Sequence, residues 1–460
     1  MQKRKIVESR TILSFLTKNT CFEIIGDNKI RSKVDDSILI LDVSRGTFQL
    51  SQHLQSQKHQ ESLQLISQMN DGDDIKYKFH CDFLLWMVTN NIPLSKVDNP
   101  EFISYLEKLS QRQFYSRQHY MNHFLVDLYN IRIEEIYEKF NLTPYYLMLD
   151  ETQDKSSRKM VNVLIGELNE FETTKPYVIN TIEFENVNSS NLHNFIIWQV
   201  NQIHSSFHLT SNFKLLLTDK ASYMLLLGTK LKSQFQNLKH ITCLCHALHN
   251  LCETIRNNFK KVKSVMKQLI QVFHKNKKNQ LIFKEATDIQ FPKKYISTRW
   301  GSYLSFCCFF FENYQLVALA ISGLKQKFSS KLVDFHSDRF KRELEEIFNF
   351  QFMIKSISDL ENSSLSVNKQ IEIIKVVIER LSTTKFKERI DEILEKNPDL
   401  KYFMNFNILD VPFDERFFNF TPLTTCFVER SFSKLNLIST PDRANLSVEN
   451  IKRLLFFYFN

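Results

Sequence analysis

Five short runs of β-branched and aliphatic residues, each closed by a polar turn, succeed one another in a single stretch of the chain. They are YYLMLD (145–150), KMVNVLIGEL (159–168), YVINTIEFE (177–185), FKLLLTD (213–219) and KHITCLCH (239–246). Apolar runs this short, bounded by turn residues, read as buried strands. A helical stretch at 190–206 separates the third run from the fourth. Three strands, a helix, a strand and a further strand require a mixed α/β sheet. The flanks have a different texture. Residues 79–140 are helical in pattern, with Asn91-Ile92-Pro93 closing one helix and Asp98-Asn99-Pro100 opening another. From 247 to about 400 the pattern is helical and Lys-rich, and 421–460 reads as two helices, one around Glu429 and one at 448–458.

The first 65 residues read as a small mixed unit: a β-rich run, SILILDV (37–43), a turn at Arg45-Gly46, and a helix carrying His53 and His59. A polar stretch, SQMNDGDDIKYK (67–78), reads as a linker. With 460 residues the chain is too long for one core. The expected division is 1–65, 79–140, 141–246, 247–405 and 406–460.

Composition removes several function classes. Only 7 glycines are present and there is no G-x-G-x-x-G or P-loop, so a Gly-rich nucleotide cradle is not expected. The eight cysteines have no framework spacing and read as reduced thiols. MQKRKIVESR has no apolar core behind it, unlike a signal peptide, and no apolar run reaches the roughly 18 residues of a membrane helix. Neither a membrane nor a small-molecule substrate is expected. Sixty Lys and Arg against 51 Asp and Glu leave +9, a balance suited to a polyanionic partner.

Asp150 and Asp219 each follow an apolar run. Acids at the carboxyl ends of strands project into the region where open α/β sheets bind ligands. Carboxylates sharing hard divalent cations can polarise a phosphodiester. As residues alone, both also suit turn formation.

From Phe83 onward the order of segments resembles hAT-superfamily transposases. NNIPLSKVDNPEFISYLEKL (90–109) is similar to the family's opening helical segment. LMLDETQDKSSRKMVNVLIGEL (147–168) resembles the strand with its first catalytic Asp, and KLLLTDKASYM (214–224) the strand with its second. ITCLCHALHNL (241–251) matches the C-x-x-H segment through Cys243 and His246, and STRWGSYL (297–304) the R-W motif. PLTTCFVERSFSKLNLISTPDRANLSVENIKRLLFFY (422–458) matches the C-terminal signature, whose E-R-x-F-S core carries the third acid. The resemblance implies an RNase H-like mixed sheet interrupted by a large all-helical insertion, with a finger-like N-terminal unit and a helical C-terminal tail. It implies that Asp150, Asp219 and Glu429 hold Mg²⁺ or Mn²⁺, that Cys243 and His246 are structural or DNA-adjacent, and that Arg299 and Trp300 meet DNA, the Trp by stacking on a flipped base.

FKKVKSVMKQLIQVFHKNKKNQLIFKE (259–285) reads as one amphipathic helix whose Lys260, Lys261, Lys263, Lys275, Lys277 and Lys278 offer a cationic face to phosphates, or simply to solvent. FQLSQHLQSQKHQ (48–60) resembles the back half of a BED-type or CGG triplet repeat-binding-protein finger through His53 and His59. The strand before it lacks the Cys pair that such fingers use, so zinc is not expected there. Lys220 departs from the family's small residue after the second Asp. Two readings follow from the resemblance: a nuclear, homodimeric or higher-order transposase-type protein that cuts and joins double-stranded DNA, or a domesticated, non-catalytic DNA- or protein-binding regulator of transcription.

Overall fold

The computed structural model describes residues 12, 15–16, 19, 21–26, 29–32, 37–41, 46–57, 75–204, 212–296, 300–440 and 446–460. They form two compact units. The first takes Met1–Met87 and Ser95–Tyr120, the second Val88–Leu94 and Met121–Asn460, so the expected 79–140 segment is divided between them.

In the first unit, strands β1 (Phe22–Gly26), β2 (Lys29–Ser32) and β3 (Ile38–Ile40) form an antiparallel meander. Helix α1 (Gly46–Leu54) closes over it, and Phe22, Ile30, Leu41 and Leu50 make a small core with Ile12. His53 lies on α1 with its ring 5.9 Å from that of Phe22, whereas His59 lies outside the described residues. Helix α2 spans 75–89, and α3 (Pro100–Ser110) starts where Asp98-Asn99-Pro100 indicates. The Asn99 side chain accepts hydrogen bonds from the amides of Glu101 and Phe102, and Pro100 fills the first helical position, where no amide is needed.

In the second unit, α4 (Leu125–Leu142) leads into a five-stranded sheet: β4 (Tyr145–Gln153), β5 (Lys159–Glu167), β6 (Tyr177–Glu183), β7 (Phe213–Thr218) and β8 (Lys239–Thr242). The spatial order is β6-β5-β4-β7-β8. β5 is antiparallel to both neighbours, and β4, β7 and β8 are parallel. Helices α5 (Ser189–Ile203) and α6 (Ser222–Gln234) provide the crossovers that parallel strands require.

Alternation along the strands decides what each face meets. Tyr145, Leu147 and Leu149 of β4 and Val161, Val163 and Ile165 of β5 share one buried cluster with α4, α5 and α6. Asp150 belongs to the other set and faces the opposite layer.

That layer includes α16 (Cys426–Ile438). Between it and β8 lies the helical insertion, comprising α7 (Leu244–Asn258), α8 (Lys260–Leu269), α9 (Lys277–Thr287), α10 (Ser302–Glu312), α11 (Tyr314–Ser322), α12 (Asp338–Phe348), α13 (Phe352–Leu360), α14 (Val367–Leu381) and α15 (Lys387–Glu395) among its longer helices. Its far end returns to the sheet edge. Asn397 exchanges two hydrogen bonds with the Thr242 backbone, at 2.9 and 2.8 Å, and Asp399 accepts from the His240 amide and from Lys232. The β8 edge is thereby covered by the Asn397 and Asp399 side chains and the Asp399 amide, which donates to the His240 carbonyl, instead of by another strand.

Two local expectations need correction. The 259–285 stretch is not one helix. A wide turn over Ile270–His274 ends α8, and α9 restarts after Asn276, whose side chain caps the amides of Lys278 and Asn279. Nor does the fifth strand run to His246. It stops at Thr242 and α7 begins at Leu244, so Cys243 and Cys245 are not alternate residues of a strand.

The last helix, α17 (Val448–Phe459), packs its apolar stripe within this unit. Ile451, Leu454, Leu455, Phe456 and Phe459 are buried, Phe456 meets the Tyr129 ring at 5.0 Å, and the Asn460 amide side chain pairs with both backbone groups of Val178 on β6. None of the eight cysteines forms a disulfide. Among the described residues no single helix is long and apolar enough to cross a membrane.

Candidate functional site

The parallel register pairs Leu147 with Leu216 and Met148 with Leu217. Two residues further on, the same register sets Asp150 abreast of Asp219. The β7–β8 pairing ends at Thr218 and Thr242, so the next position across is Cys243, whose amide donates to the Thr218 carbonyl at 2.8 Å. Asp150, Asp219 and Cys243 thus stand in a row along the carboxyl ends of three parallel strands.

Two helices complete the site from the opposite layer. α7 starts directly after Cys243, which puts His246 in its first turn. α16 brings Glu429 in its own first turn. Asp150, His246 and Glu429 each offer a ligand atom, and these atoms all lie within 4.8 Å of one another; no other such trio occurs among the described residues. His246 Nε2 lies 3.5 Å from Glu429 Oε1, and its Nδ1 lies 3.4 Å from Thr425 Oγ1. The Thr425 amide donates to Cys243 Sγ at 3.1 Å. Trp300 stands edge-on to His246, with ring centroids 5.0 Å apart and an interplanar angle of 74°. Trp300 is half-buried beside His246. Arg299 lies outside the described residues.

A buried side-chain pair holds α16 in register. Asn162 is the antiparallel partner of Asp150 on β5, so both side chains leave the same face. Asn162 Nδ2 donates to Ser431 Oγ at 2.7 Å, and Ser431 Oγ donates to the Val428 carbonyl at 2.6 Å. Asn162 and Ser431 are both fully buried. Local sequence gives no hint of this pair; only the β4–β5 register reveals it.

The cations nearest to the acids in sequence are directed elsewhere. Lys220 Nζ donates to the Ile393 carbonyl at 3.3 Å. Arg430 donates to the Glu361 carbonyl and lies over the Phe427 ring, and Lys434 lies over the Tyr458 ring. Asp154 is held by Arg158 at 2.8 Å and by the amides of Ser156 and Arg158, closing the β4–β5 turn.

Burial makes Asp150 and Asp219 take up protons more readily than ordinary carboxylates. Burial raises Asp150 well above the usual carboxyl range, and Asp219 and Glu429 raise it further, against an opposing pull from His246. Asp219 is also raised by burial, although the Ala221 amide, at 3.1 Å, favours its charged form. Burial opposes the charge on His246, but Cys243, Glu429 and Asp150 outweigh it and raise the ring to about 11. Burial likewise opposes a thiolate at Cys243, yet hydrogen bonding from Cys245 and pairing with His246 hold it well below the ordinary thiol range.

Oxygen donors from Asp150 and Glu429 suit a hard divalent cation, and such an ion would relieve the repulsion that burial amplifies; Asp219, abreast of Asp150, is not one of the trio. His246 adds a nitrogen donor once deprotonated.

The lysines expected to face phosphates lie on two separate helices, with Lys275 in the turn between them. Lys261 pairs with Asp334 at 2.5 Å and Lys263 with Asn257 at 2.7 Å, while Lys260, Lys275, Lys277 and Lys278 are exposed. No protein-family model matches the chain, and no curated protein matches it.

Proposed function

We propose that the chain is an RNase H-like nuclear protein of hAT transposase type that binds double-stranded DNA and cleaves and transfers its strands with Mg²⁺ or Mn²⁺. The observation that carries this reading is the meeting of Asp150 and Glu429 at His246, with Asp219 abreast of Asp150 on the adjacent strand. The two aspartates come from adjacent parallel strands, and Glu429 arrives on a helix from beyond a large insertion. The mixed five-stranded sheet, in the order β6-β5-β4-β7-β8, supports this reading. A divalent ion held by the three acids would offset charge on the scissile phosphate and acidify an attacking water or 3′-hydroxyl. The chain's own residues set the geometry: Asn162 and Ser431 hold the Glu429 helix against β4 and β5, and Trp300 offers a π-face edge-on to His246 for an unstacked base. Homodimerisation would have to use a surface other than the α17 stripe, which is buried against β6 and α4.

One observation favours the non-catalytic reading, a domesticated regulator of transcription. His246 supplies an internal positive charge to Glu429 and Asp150, so the acids have a partner without a metal. Incubating the full chain with a supercoiled plasmid and Mn²⁺ separates the two. Nicking that is lost in Asp150→Asn supports the catalytic reading. DNA binding without nicking at any divalent concentration overturns it in favour of the regulator.

A further inference from the structure

Beside Asp219 the molecule opens into a cleft of about 450 Å³, lined by Lys220, Asn250, Arg389, Glu392 and Lys396, with His246 on its wall. None of the insertion-borne residues in it belongs to the Lys-rich 259–285 stretch. Arg389 and Lys396 both pair with Glu392, the former at 2.6 Å, and Lys220 reaches across to the Ile393 carbonyl of the same helix. Three cations thus converge where one carboxylate answers two of them. Like charges brought together in a cleft repel, and low-dielectric walls focus their field outward. An entering anion gains from all three. The cleft volume falls within the range of ligand-sized pockets. Its lining has no aromatic platform other than the His246 ring and no glycine, so it suits a backbone passing through better than a nucleotide gripped by its base.

We infer that this cleft is the backbone subsite for the DNA strand, seating a phosphate next to the one at the acids between Lys220, Arg389 and Lys396. The inference rests on the DNA-processing reading and adds the residues that deliver the strand to the acids. Glu392 acts as an internal occupant, holding two of the cations in place until a phosphate displaces it.

The test uses the full chain and a fluorescent duplex oligonucleotide, titrated across a series of salt concentrations. In Arg389→Ala/Lys396→Ala the slope of log affinity against log salt becomes shallower by about 1, because the one phosphate left without its cations takes about 0.9 off the slope. Mn²⁺ binding stays at the wild-type level. Glu392→Gln moves the other way, with tighter binding and a steeper slope, and it stands as a test even if the double variant fails to fold. A Lys277→Ala/Lys278→Ala variant is the comparison. If that pair flattens the slope and the cleft pair does not, or if Glu392→Gln binds no tighter than wild type, the cleft assignment is overturned while DNA processing stands. A wild-type chain that shows no salt-dependent DNA binding overturns both.

Discussion

Ser431→Ala removes the hydroxyl that accepts the 2.7 Å hydrogen bond from Asn162 Nδ2. Both residues are fully buried, so water cannot replace the lost partner. The Asn162 Oδ1 atom already has no hydrogen-bond partner among the described residues. The variant therefore strands the whole amide in the interior. A buried donor left unpaired costs about 1–3 kcal/mol, and the change in side-chain volume adds little. We expect this loss in urea unfolding of the full chain, read from signals of the five-stranded unit at constant m value. Because Glu429 lies two residues away on the same helix turn, Mn²⁺ affinity falls by about 10- to 100-fold, as for other groups that orient a ligand from behind. Adding Asn162→Leu to Ser431→Ala replaces both partners by apolar groups of similar shape. It recovers most of the stability, giving a coupling of about 0.5–3 kcal/mol. A Ser431→Ala protein within about 0.3 kcal/mol of wild type, or a double variant no more stable than the single one, would refute the argument.

Asp150→Asn stabilises the metal-free protein at neutral pH. Burial raises the folded-state proton affinity of Asp150, so the wild type has its full stability from this group below the ordinary carboxyl value. It loses that stability as pH rises through the folded value. Thermal unfolding should show the variant ahead by about 0.5–2 kcal/mol near pH 7 and level with wild type near pH 4; added Mn²⁺ should reverse the order. Trp300→Ala lowers strand cleavage by about 5- to 150-fold, the worth of one stacked base, and leaves Mn²⁺ binding unchanged; wild-type cleavage would remove Trp300 from the strand path. Deleting 446–460 unfolds the five-stranded unit, measured as loss of amide protection in β6, because Phe456 and Phe459 leave its core; a folded truncation would contradict the packing described.

The strands were legible because β4, β5, β6 and β7 are aliphatic runs whose ends coincide with polar turns. β1 and β2 were not, since Phe22–Gly26 and Lys29–Ser32 are short and carry charges on their exposed positions. The end of β8 was misread for a non-local reason. Apolar character continues through Cys243, Leu244 and Cys245, and the group that terminates the ladder is Asn397, from the far end of the insertion. That error hid the role of His246, because only a helix starting at Leu244 turns its ring toward Glu429. Glu429 itself resembles a surface acid beside Arg430 and Lys434 until tertiary structure sends those two cations to Glu361 and Tyr458. The break between α8 and α9 was visible in principle, as Asn276 is a good cap, but the regular spacing of lysines and apolar residues across it obscured the signal.

The long insertion between β8 and α16 also dictates an order of events during synthesis. A ribosome completes all five strands and then the entire insertion before Ser431, Glu429 and Phe456 exist. Throughout that interval a nascent chain holds Asn162 and Asp150 uncovered on one side of the sheet and lacks the aromatic wedge of α17 on the other. Pairings that close so late in sequence form slowly and leave apolar surface open to misassociation. Chains that stop within the insertion would therefore be clients of chaperones or proteases, with the cluster incomplete in every one. Asp150, His246 and Glu429 become a single cluster only in chains whose last two helices have docked, so whatever that cluster does is withheld until synthesis is finished.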